Sequence, residues 1–341
     1  MVGLVPAMTS KTEADRALGH PIAMLRRRLK PVPFGGDFRF ACCMLDQPQR
    51  GPRREPQLGV TGIAIAGANS MDHGTPPTSA HLMLISPERV FYAGLLGKPR
   101  QRTSGGLNVY VALHGELSVA QGGTVTRGEI VVVPPYTVHS VDSDYPSTIC
   151  MVIEPETVLP SALLALEQRL CGPSAEAITA RIRGAYDALR ITGRREGFTT
   201  CEFDTIFFGE PLQARALDQR ITEAIARLCE FSNVNVNAAE CAAAVRLSQS
   251  RFLHLFKEQT GVSFRAFRAW KRARHLLHYV NEDINLAHLA QDIGYPDSTH
   301  FSHSIRRFYG LKPRAIFIGS RDLAIYRSDA SIGLGLRSGR S

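Results

Sequence analysis

Short apolar runs separated by glycine, proline and polar residues fill residues 60–160 of the chain. Alternation with a period of two is clearest in the run LNVYVAL, at Leu107, Val109, Val111 and Leu113. That period is typical of a strand with one buried face. Gly122-Gly123 indicates a hairpin turn, and Pro134 ends a strand because proline has no backbone N–H to donate to a sheet. The pattern predicts a β-sandwich or small β-barrel.

Residues 161–231 change to the helical period. Apolar residues there recur at spacings of three and four, as on one face of an amphipathic helix. Two stripes are clear: Ile178, Ile182, Tyr186 and Leu189, followed by Leu217, Ile221, Ile225 and Leu228. Such stripes usually bury against the same chain, and a subunit interface is their second use. We predict a helical connector over 161–231 that takes part in dimerisation.

Residues 232–319 are predicted to be all helical, and their pattern occurs twice. The first copy carries Ser248, Phe252, His254, Phe256, Lys257 and Gly261, and 49 residues later the second carries Asp297, Phe301, His303, Ile305, Arg306 and Gly310. The recurrence of His254 at His303 favours a shared geometric role over chance.

Each copy has the form of two short helices joined by a turn. In the second copy Asn285 and Asp297 are helix-capping residues, because their side chains accept backbone N–H bonds. Gly294 provides the turn between the two helices, and Gly310 ends the second one. This order of signals predicts a helix-turn-helix motif.

The two motifs are joined by one predicted long helix, Phe264 to Val280. Its inward positions are Phe264, Phe267, Trp270, Leu277 and Val280. Ala290 and, in the first copy, Cys241 are small residues at the point where two helices of a motif must approach. The result is an all-α domain with two helix-turn-helix motifs on one scaffold.

Polar residues occupy the outer faces of the second helix in each motif, provided that Phe301, Ile305 and Phe308 face inward. A recognition helix places such residues in the major groove, with basic residues at its end or flank on phosphates. The outer-face residues are Ser250, Arg251, His254 and Lys257 in the first motif and Thr299, His300, His303 and Arg307 in the second. The phosphate candidates are Arg251, Lys257, Arg306, Arg307 and Lys312, with Arg314 beside them.

Residues Val234–Ile316 resemble the DNA-binding domain of the AraC/XylS family of bacterial transcription regulators. The resemblance lies in Leu247-Ser248, Arg251-Phe252, Phe256-Lys257 and Thr260-Gly261-Val262 of the first motif, and in Leu289-Ala290, Ile293-Gly294-Tyr295, Phe301-Ser302, Phe308, Gly310 and Pro313 of the second. It implies base-contacting roles for Ser250, Leu253, His254, Thr299, His300 and His303. The chain departs from the family where a glycine often stands in the first turn, since it has Arg246 there.

The β-rich half resembles the partner domain that this family usually carries, a cupin-like β-barrel that senses a small molecule and helps the protein to dimerise. Its markers are Gly128, Pro134 and His139 in the run GEIVVVPPYTVHSV. The resemblance implies an effector pocket, for which Tyr110 and His139 are the candidate lining residues. It also implies an effect on RNA polymerase if the protein is an activator.

Charge is uneven along the 341-residue chain, whose formal net charge is +9. Residues 232–319 have twelve Lys/Arg against six Asp/Glu, and residues 60–160 have five against eight. A basic helical domain favours double-stranded DNA as its partner. The basic, Pro- and Gly-rich segment 1–59 is predicted to be largely disordered, and 320–341 to be a flexible tail. No apolar run approaches ~20 residues, so no membrane span is expected, and the seven cysteines, without a CxxC pair, fit a reducing cytoplasm.

Metal chemistry is the main alternative. His300 and His303 have a helical spacing that permits chelation, but only Asp297 stands nearby to complete a site. His81, His114 and His139 are possible cupin ligands, yet Arg100–Tyr110 has no histidine where a metal cupin usually has an H-x-H. We therefore expect no metal, no cofactor and no enzymatic activity. The leading hypothesis is an effector-responsive, DNA-binding transcription regulator, and the alternative is a cupin-type, metal-dependent enzyme with a basic helical appendage.

Overall fold

The computed structural model describes residues 81–192, 197–229 and 236–328, which all belong to one compact unit of the chain, Asp72–Ser341. The predictions for segment 1–59, for the start of the β-rich region, 60–80, and for the last thirteen positions of the tail, 329–341, lie outside the described residues.

Strands fill the first part of the described chain. They are β1 (Leu82–Ile85), β2 (Arg89–Leu95), β3 (Leu107–Ala112), β4 (Leu117–Gln121), β5 (Thr124–Gly128), β6 (Ile130–Val133), β7 (His139–Ser143) and β8 (Ser147–Ile153), and a further strand, β9 (Ala324–Arg327), comes near the C-terminus. One sheet has the order β6-β3-β8-β2-β1-β9 and the other the order β5-β4-β7. All described strand pairs are antiparallel except β1 with β9, which are parallel.

The two sheets pack face to face over an intersheet core. Its buried members are Leu96, Tyr110, Ala112, Leu117, Val119, Val131, Val133 and Val141. All six residues of strand β3 are buried, which accounts for the largely apolar run LNVYVA. Its odd-numbered residues pack on helices at the other side of the sheet, whereas Tyr110 and Ala112 lie between the sheets. A strand buried on both faces loses the simple alternation of an exposed one.

Three helices cover the outer face of the six-stranded sheet: α1 (Pro160–Cys171), α2 (Ala175–Thr192) and α3 (Thr200–Phe208). The predicted stripe of α2 is buried there through Ile178, Ile182 and Tyr186. A buried ion pair joins this layer to the sheet, because Arg89 on β2 donates from Nε and Nη2 to the two carboxylate oxygens of Asp204 on α3, at 2.8 and 3.0 Å. This stripe therefore belongs to the core of the described unit.

The second predicted stripe lies elsewhere. Helix α4 (Gln219–Cys229) packs through Ile221 and Leu228 against Phe252 and Phe256, in a cluster separate from that of α1–α3. The structure thus divides the predicted connector, 161–231: helices α1–α3 pack on the sheet, and α4 packs with the helical domain that follows it. The periodicity identified the helix, but a stripe does not specify its partner.

Six further helices follow in the described residues. They are α5 (Ala238–Ala244), α6 (Gln249–Thr260), α7 (Phe264–His275), α8 (Leu286–Asp292), α9 (Ser298–Tyr309) and α10 (Pro313–Gly319). The predicted long helix, Phe264 to Val280, is shorter as an α-helix: it ends at His275 and tightens into a 3₁₀ turn, Leu276–His278. Such tightening is common in the last turn of a helix.

The second motif packs directly on the six-stranded sheet. Trp270, Phe301, Ile305 and other residues of α7–α9 form one buried cluster with Met83, Ile85, Val90 and Val152 of the sheet. Gly105 permits this approach, because a Cβ atom there would lie 2.3 Å from Cγ of Trp270.

The prediction of a flexible tail over 320–341 is wrong for residues 324–327, which form a strand. Strand β9 pairs in parallel with β1, from Leu82 opposite Ala324 to Ile85 opposite Arg327. Short strands stabilised by distant partners leave little local signal, since pairing rather than propensity determines them. No helix in the described ranges is both long and apolar enough to cross a membrane.

Candidate nucleic-acid interface

The two candidate recognition helices, α6 and α9, begin at capping side chains. Ser248 accepts a bond from the N–H of Arg251 at 3.3 Å, and Asp297 accepts bonds from the N–H groups of Thr299 and His300, both at 2.8 Å. Each helix ends at a glycine with left-handed backbone, Gly261 (φ 78°) and Gly310 (φ 73°). These local signals are the ones that the sequence indicated.

The turn before each recognition helix contains one residue with positive φ. It is Gly294 in the second motif (φ 80°) and Arg246 in the first (φ 55°). The departure from the family pattern therefore does not change the backbone of the turn, which holds an arginine in a conformation that glycine adopts more easily. Cys241 and Ala290, the predicted small residues, are both fully buried between helices.

The inner face of each recognition helix is buried and its outer face is exposed. Phe252 and Phe256 of α6, and Phe301, Ile305 and Phe308 of α9, have at most 3% of their surface exposed. The base-facing candidates Ser250, His254, Thr299, His300 and His303 are all exposed. Leu253, on the same face of α6, is an exposed apolar side chain at 36%. The predicted division between core and outer face is thus observed for both helices.

The phosphate candidates divide into two groups. Arg251, Lys257, Arg307 and Lys312 are exposed, whereas Arg306 is partly buried. Arg306, Lys312 and Arg314 line one surface depression beside Leu286 and Ser298. Three cations around one depression suit the binding of a phosphate group.

Two basic residues of the helical domain do not face outward. Lys271 and Arg274 of α7 are buried, and Lys271 Nζ lies 2.8 Å from Glu154 and 2.5 Å from Glu156, just after β8. Arg274 lies 3.2 Å from Glu154, and Nε1 of Trp270 donates to the same carboxylate at 3.0 Å. Burial raises the pKa of a carboxyl group, but the charges of Lys271 and Arg274 outweigh it and hold the pKa of Glu154 below its ordinary value. The net basic charge of the domain therefore overstates its DNA-facing charge, and charge counts alone had missed this contact.

The proposed effector residues Tyr110 and His139 lie together in the intersheet core. The Tyr110 hydroxyl is 2.8 Å from Nε2 of His139, whose Nδ1 is 2.8 Å from the carbonyl oxygen of Thr137. Burial lowers the pKa of His139 to about 4, so the ring is neutral at pH 7 and bonds to both neighbours. Arg102 lies over the Tyr110 ring, at 4.9 Å from its centroid. Sequence reasoning missed Arg102, because it stands in a loop without a recognisable motif.

Histidines and acidic residues do not gather into a metal site in the described ranges. No group of three or more His, Cys, Asp or Glu there is placed to hold an ion. His300 instead bonds to its own helix cap, with Nδ1 at 2.7 Å from Oδ2 of Asp297.

Two helix-turn-helix motifs on one helical scaffold, each with an apolar inner and a polar outer recognition face, define a DNA-binding domain. A family model described as a helix-turn-helix domain matches residues 241–317. The arabinose operon regulatory protein of Escherichia coli (strain K12) is 29% identical over 110 residues, which cover 31% of this chain and 37% of that protein. The match thus spans little more than a third of the curated relative. Residues 241–317 are thus similar to a helix-turn-helix domain, the kind of domain that the AraC/XylS resemblance predicts.

The structure comparison matches the chain to ToxT from Vibrio cholerae O395, at 12% sequence identity and a TM-score of 0.46. The match covers 69% of this chain and 99% of that one. Another match is an AraC-type DNA-binding transcriptional regulator from Chromobacterium violaceum, with 18% identity, a TM-score of 0.27 and coverage of 30% and 92%.

Proposed function

We propose that the protein is a sequence-specific, effector-responsive transcription regulator that acts in the cytoplasm as a homodimer. In this proposal helices α6 and α9 enter successive major grooves on one face of double-stranded DNA. The β domain binds a small molecule and adjusts how the motifs are presented, with RNA polymerase as a further partner if the protein activates transcription. Catalysis has no part in the proposal.

The observation that carries the proposal is the matched pair of outer faces. Helices α6 and α9 each begin at a capping side chain, each bury an aromatic side, and each expose a histidine at the matching position, His254 and His303. A scaffold that repeats a polar helix face twice suits a ligand that repeats as well, and the major groove of B-DNA returns every ~34 Å along the helix.

Selection from a pool of random DNA duplexes by the purified full chain tests the proposal. We expect enrichment of a site with two elements about 10 base pairs apart, and a footprint that covers both. Binding should weaken steeply as salt increases, because phosphate contacts release counterions. A double variant, His254→Ala with His303→Ala, serves as the comparison and should lose the enrichment but keep salt-dependent binding. Failure of the wild-type chain to enrich any site would contradict sequence-specific regulation.

A further inference from the structure

Arg102 carries a pair of hydrogen-bond donors buried in the β domain. Its Nε and Nη2 atoms are buried and meet no acceptor in the part of the chain that the structure describes, although the residue as a whole is partly exposed. These two nitrogens lie on one edge of the guanidinium group, the edge that binds a carboxylate through two parallel hydrogen bonds. A buried charged donor is costly when it is unpaired, so an anionic acceptor at this edge would be strongly favoured.

The same edge of a fully buried arginine, Arg89, shows which acceptor it binds in this protein. Nε and Nη2 of Arg89 donate to the two oxygens of Asp204 at 2.8 and 3.0 Å. Arg183, Arg274 and Arg306 each have only one buried nitrogen without an acceptor in the described ranges. Arg102 is therefore distinguished there by a complete two-donor edge.

The surroundings of Arg102 define what kind of anion fits. Tyr110, below the guanidinium group, bonds to His139, and His139 uses its other nitrogen on Thr137. The intersheet core to which Tyr110 belongs is otherwise mainly aliphatic, for example Leu117 and Val141, with the Cys150 side chain packed against it. The chemistry is one cation beside a largely apolar core, which suits one carboxylate on an apolar body.

The loop that carries Arg102 also holds the second recognition helix. Backbone N–H groups of Arg100 and Thr103 donate to the carbonyl oxygens of Gly310 and Arg307, at the C-terminal end of α9, at 3.0 and 2.8 Å. Arg102 itself exchanges two backbone bonds with His139 on β7, at 2.8 and 3.0 Å. The residues on either side of Arg102 in the loop are thus hydrogen-bonded to the end of α9, so a displacement of Arg102 can reach that helix through the backbone.

We propose that Arg102 binds the carboxylate of a small, otherwise apolar monocarboxylic acid in the β domain, and that loop 99–106 transmits this binding to recognition helix α9. The effect on DNA rests on the function proposed above, whereas binding of the acid does not.

The acid-binding step is tested by calorimetric titration and thermal melting of the full chain. The panel contains benzoate and the straight-chain acids from acetate to decanoate, each beside its uncharged primary amide. We expect at least one acid to bind and to raise the Tm, because a ligand of the native state stabilises it, and its amide to have no such effect. Arg102→Gln should weaken the binding of that acid at least tenfold. Arg100→Gln, a change of an exposed arginine in the same loop, should leave its affinity unchanged.

Three results would overturn the acid site. They are no binding of any acid to the wild-type chain, equal binding of acid and amide, or equal binding to the wild-type chain and Arg102→Gln. The ligand-free Arg102→Gln protein should melt at the same temperature as the wild type or higher, since it loses two buried donors that have no acceptor. A lower Tm without acid binding by the wild type would make Arg102 a structural residue.

The transmission step uses the DNA site selected above. In the wild-type chain the binding acid should change the Kd for that duplex at least threefold, and in Arg102→Gln it should not. Acid binding with an unchanged Kd would refute the transmission alone. Failure to bind DNA at all would refute the proposed function while leaving the acid titration intact.

Discussion

His300 and His303 lie on the same exposed helix but differ in how they are held. The ring of His300 bonds to Asp297, the residue that also caps α9, and these bonds hold the pKa of Asp297 below its ordinary value. His303 lies almost one turn further along α9 and is exposed. We therefore expect His300 to stabilise the start of the helix as well as to face DNA. We expect His303 to contribute more than His300 to base recognition.

Replacing His303 by alanine should lower affinity for the selected DNA site by about 1–3 kcal/mol and relax the preference at one base pair. Competition binding against a set of single-base variants of the site measures both effects. Arg307→Ala is the contrasting change. It should weaken binding to all DNA sequences alike and reduce the slope of log affinity against log salt concentration by about one. An exposed histidine outside the helical domain, His114, provides the neutral control. Unchanged base preference in His303→Ala would remove His303 from the readout.

The pH dependence of stability should report on His139. Its pKa is about 4 in the folded protein, against an ordinary value of 6.5, because the ring is buried. As pH falls below 6.5 the unfolded chain takes up a proton before the folded one, so stability is lost between pH 6.5 and 4. His139→Gln should reduce that slope by up to about 1.4 kcal/mol per pH unit. His275, which is buried, and His278, which is partly buried, behave likewise and retain the rest of the slope.

Urea unfolding at intervals from pH 7 to pH 4.5 makes this measurement. His114→Gln, at an exposed position, should leave the slope as in the wild type. An equal slope in His139→Gln and wild type would mean that the buried ring is not kept neutral by folding.

Helices and their ends were the most predictable elements of this fold. The caps at Ser248 and Asp297 and the glycine ends of α6 and α9 depend on residues within a turn of each other. The packing of α4 on α6 and the pairing of β9 with β1 depend on residues far apart in the sequence. A stripe or a short apolar run shows that a face is buried and carries no information about the face that covers it.

The two glycine helix ends make a matched test of the loop contact at α9. A Cβ atom on Gly310 would lie 2.5 Å from the carbonyl oxygen of Arg100, whereas one on Gly261 would meet nothing within 4 Å. Gly261→Ala should therefore cost about 1 kcal/mol for its left-handed backbone alone. Gly310→Ala should cost that and about 1–2 kcal/mol more. Equal losses in denaturant unfolding would show that loop 99–106 does not press on the end of α9.

The described unit is held together across its domains by charges removed from water. Glu154 is separated from Trp270 by 116 positions in the sequence, yet its carboxylate accepts the indole N–H and pairs with Lys271. The family resemblance predicted both domains, but it does not specify such a contact, and an excess of basic residues had suggested DNA instead. Long-range pairs of this kind become visible only in the folded chain.

Removing one member of this cluster should destabilise the protein strongly. Lys271→Ala leaves two buried carboxylates without their shared cation, which costs about 3–5 kcal/mol for comparable buried pairs. Arg265→Ala, at an exposed position of the same helix, should change the free energy of unfolding by less than about 0.5 kcal/mol. Urea unfolding compares the two variants with the wild type. A loss below 1 kcal/mol for Lys271→Ala would show that the cluster contributes little to joining the domains.

Strand β9 has a practical consequence for anyone who divides this chain. It follows the last helix of the DNA-binding domain and covers the edge of β1, whose four residues LMLI are all buried. A sensing fragment that stops before residue 324 would leave that apolar edge open to pairing with other chains. Exposed edges of this kind invite aggregation, so the β domain should stay in solution best when the C-terminal strand is supplied with it.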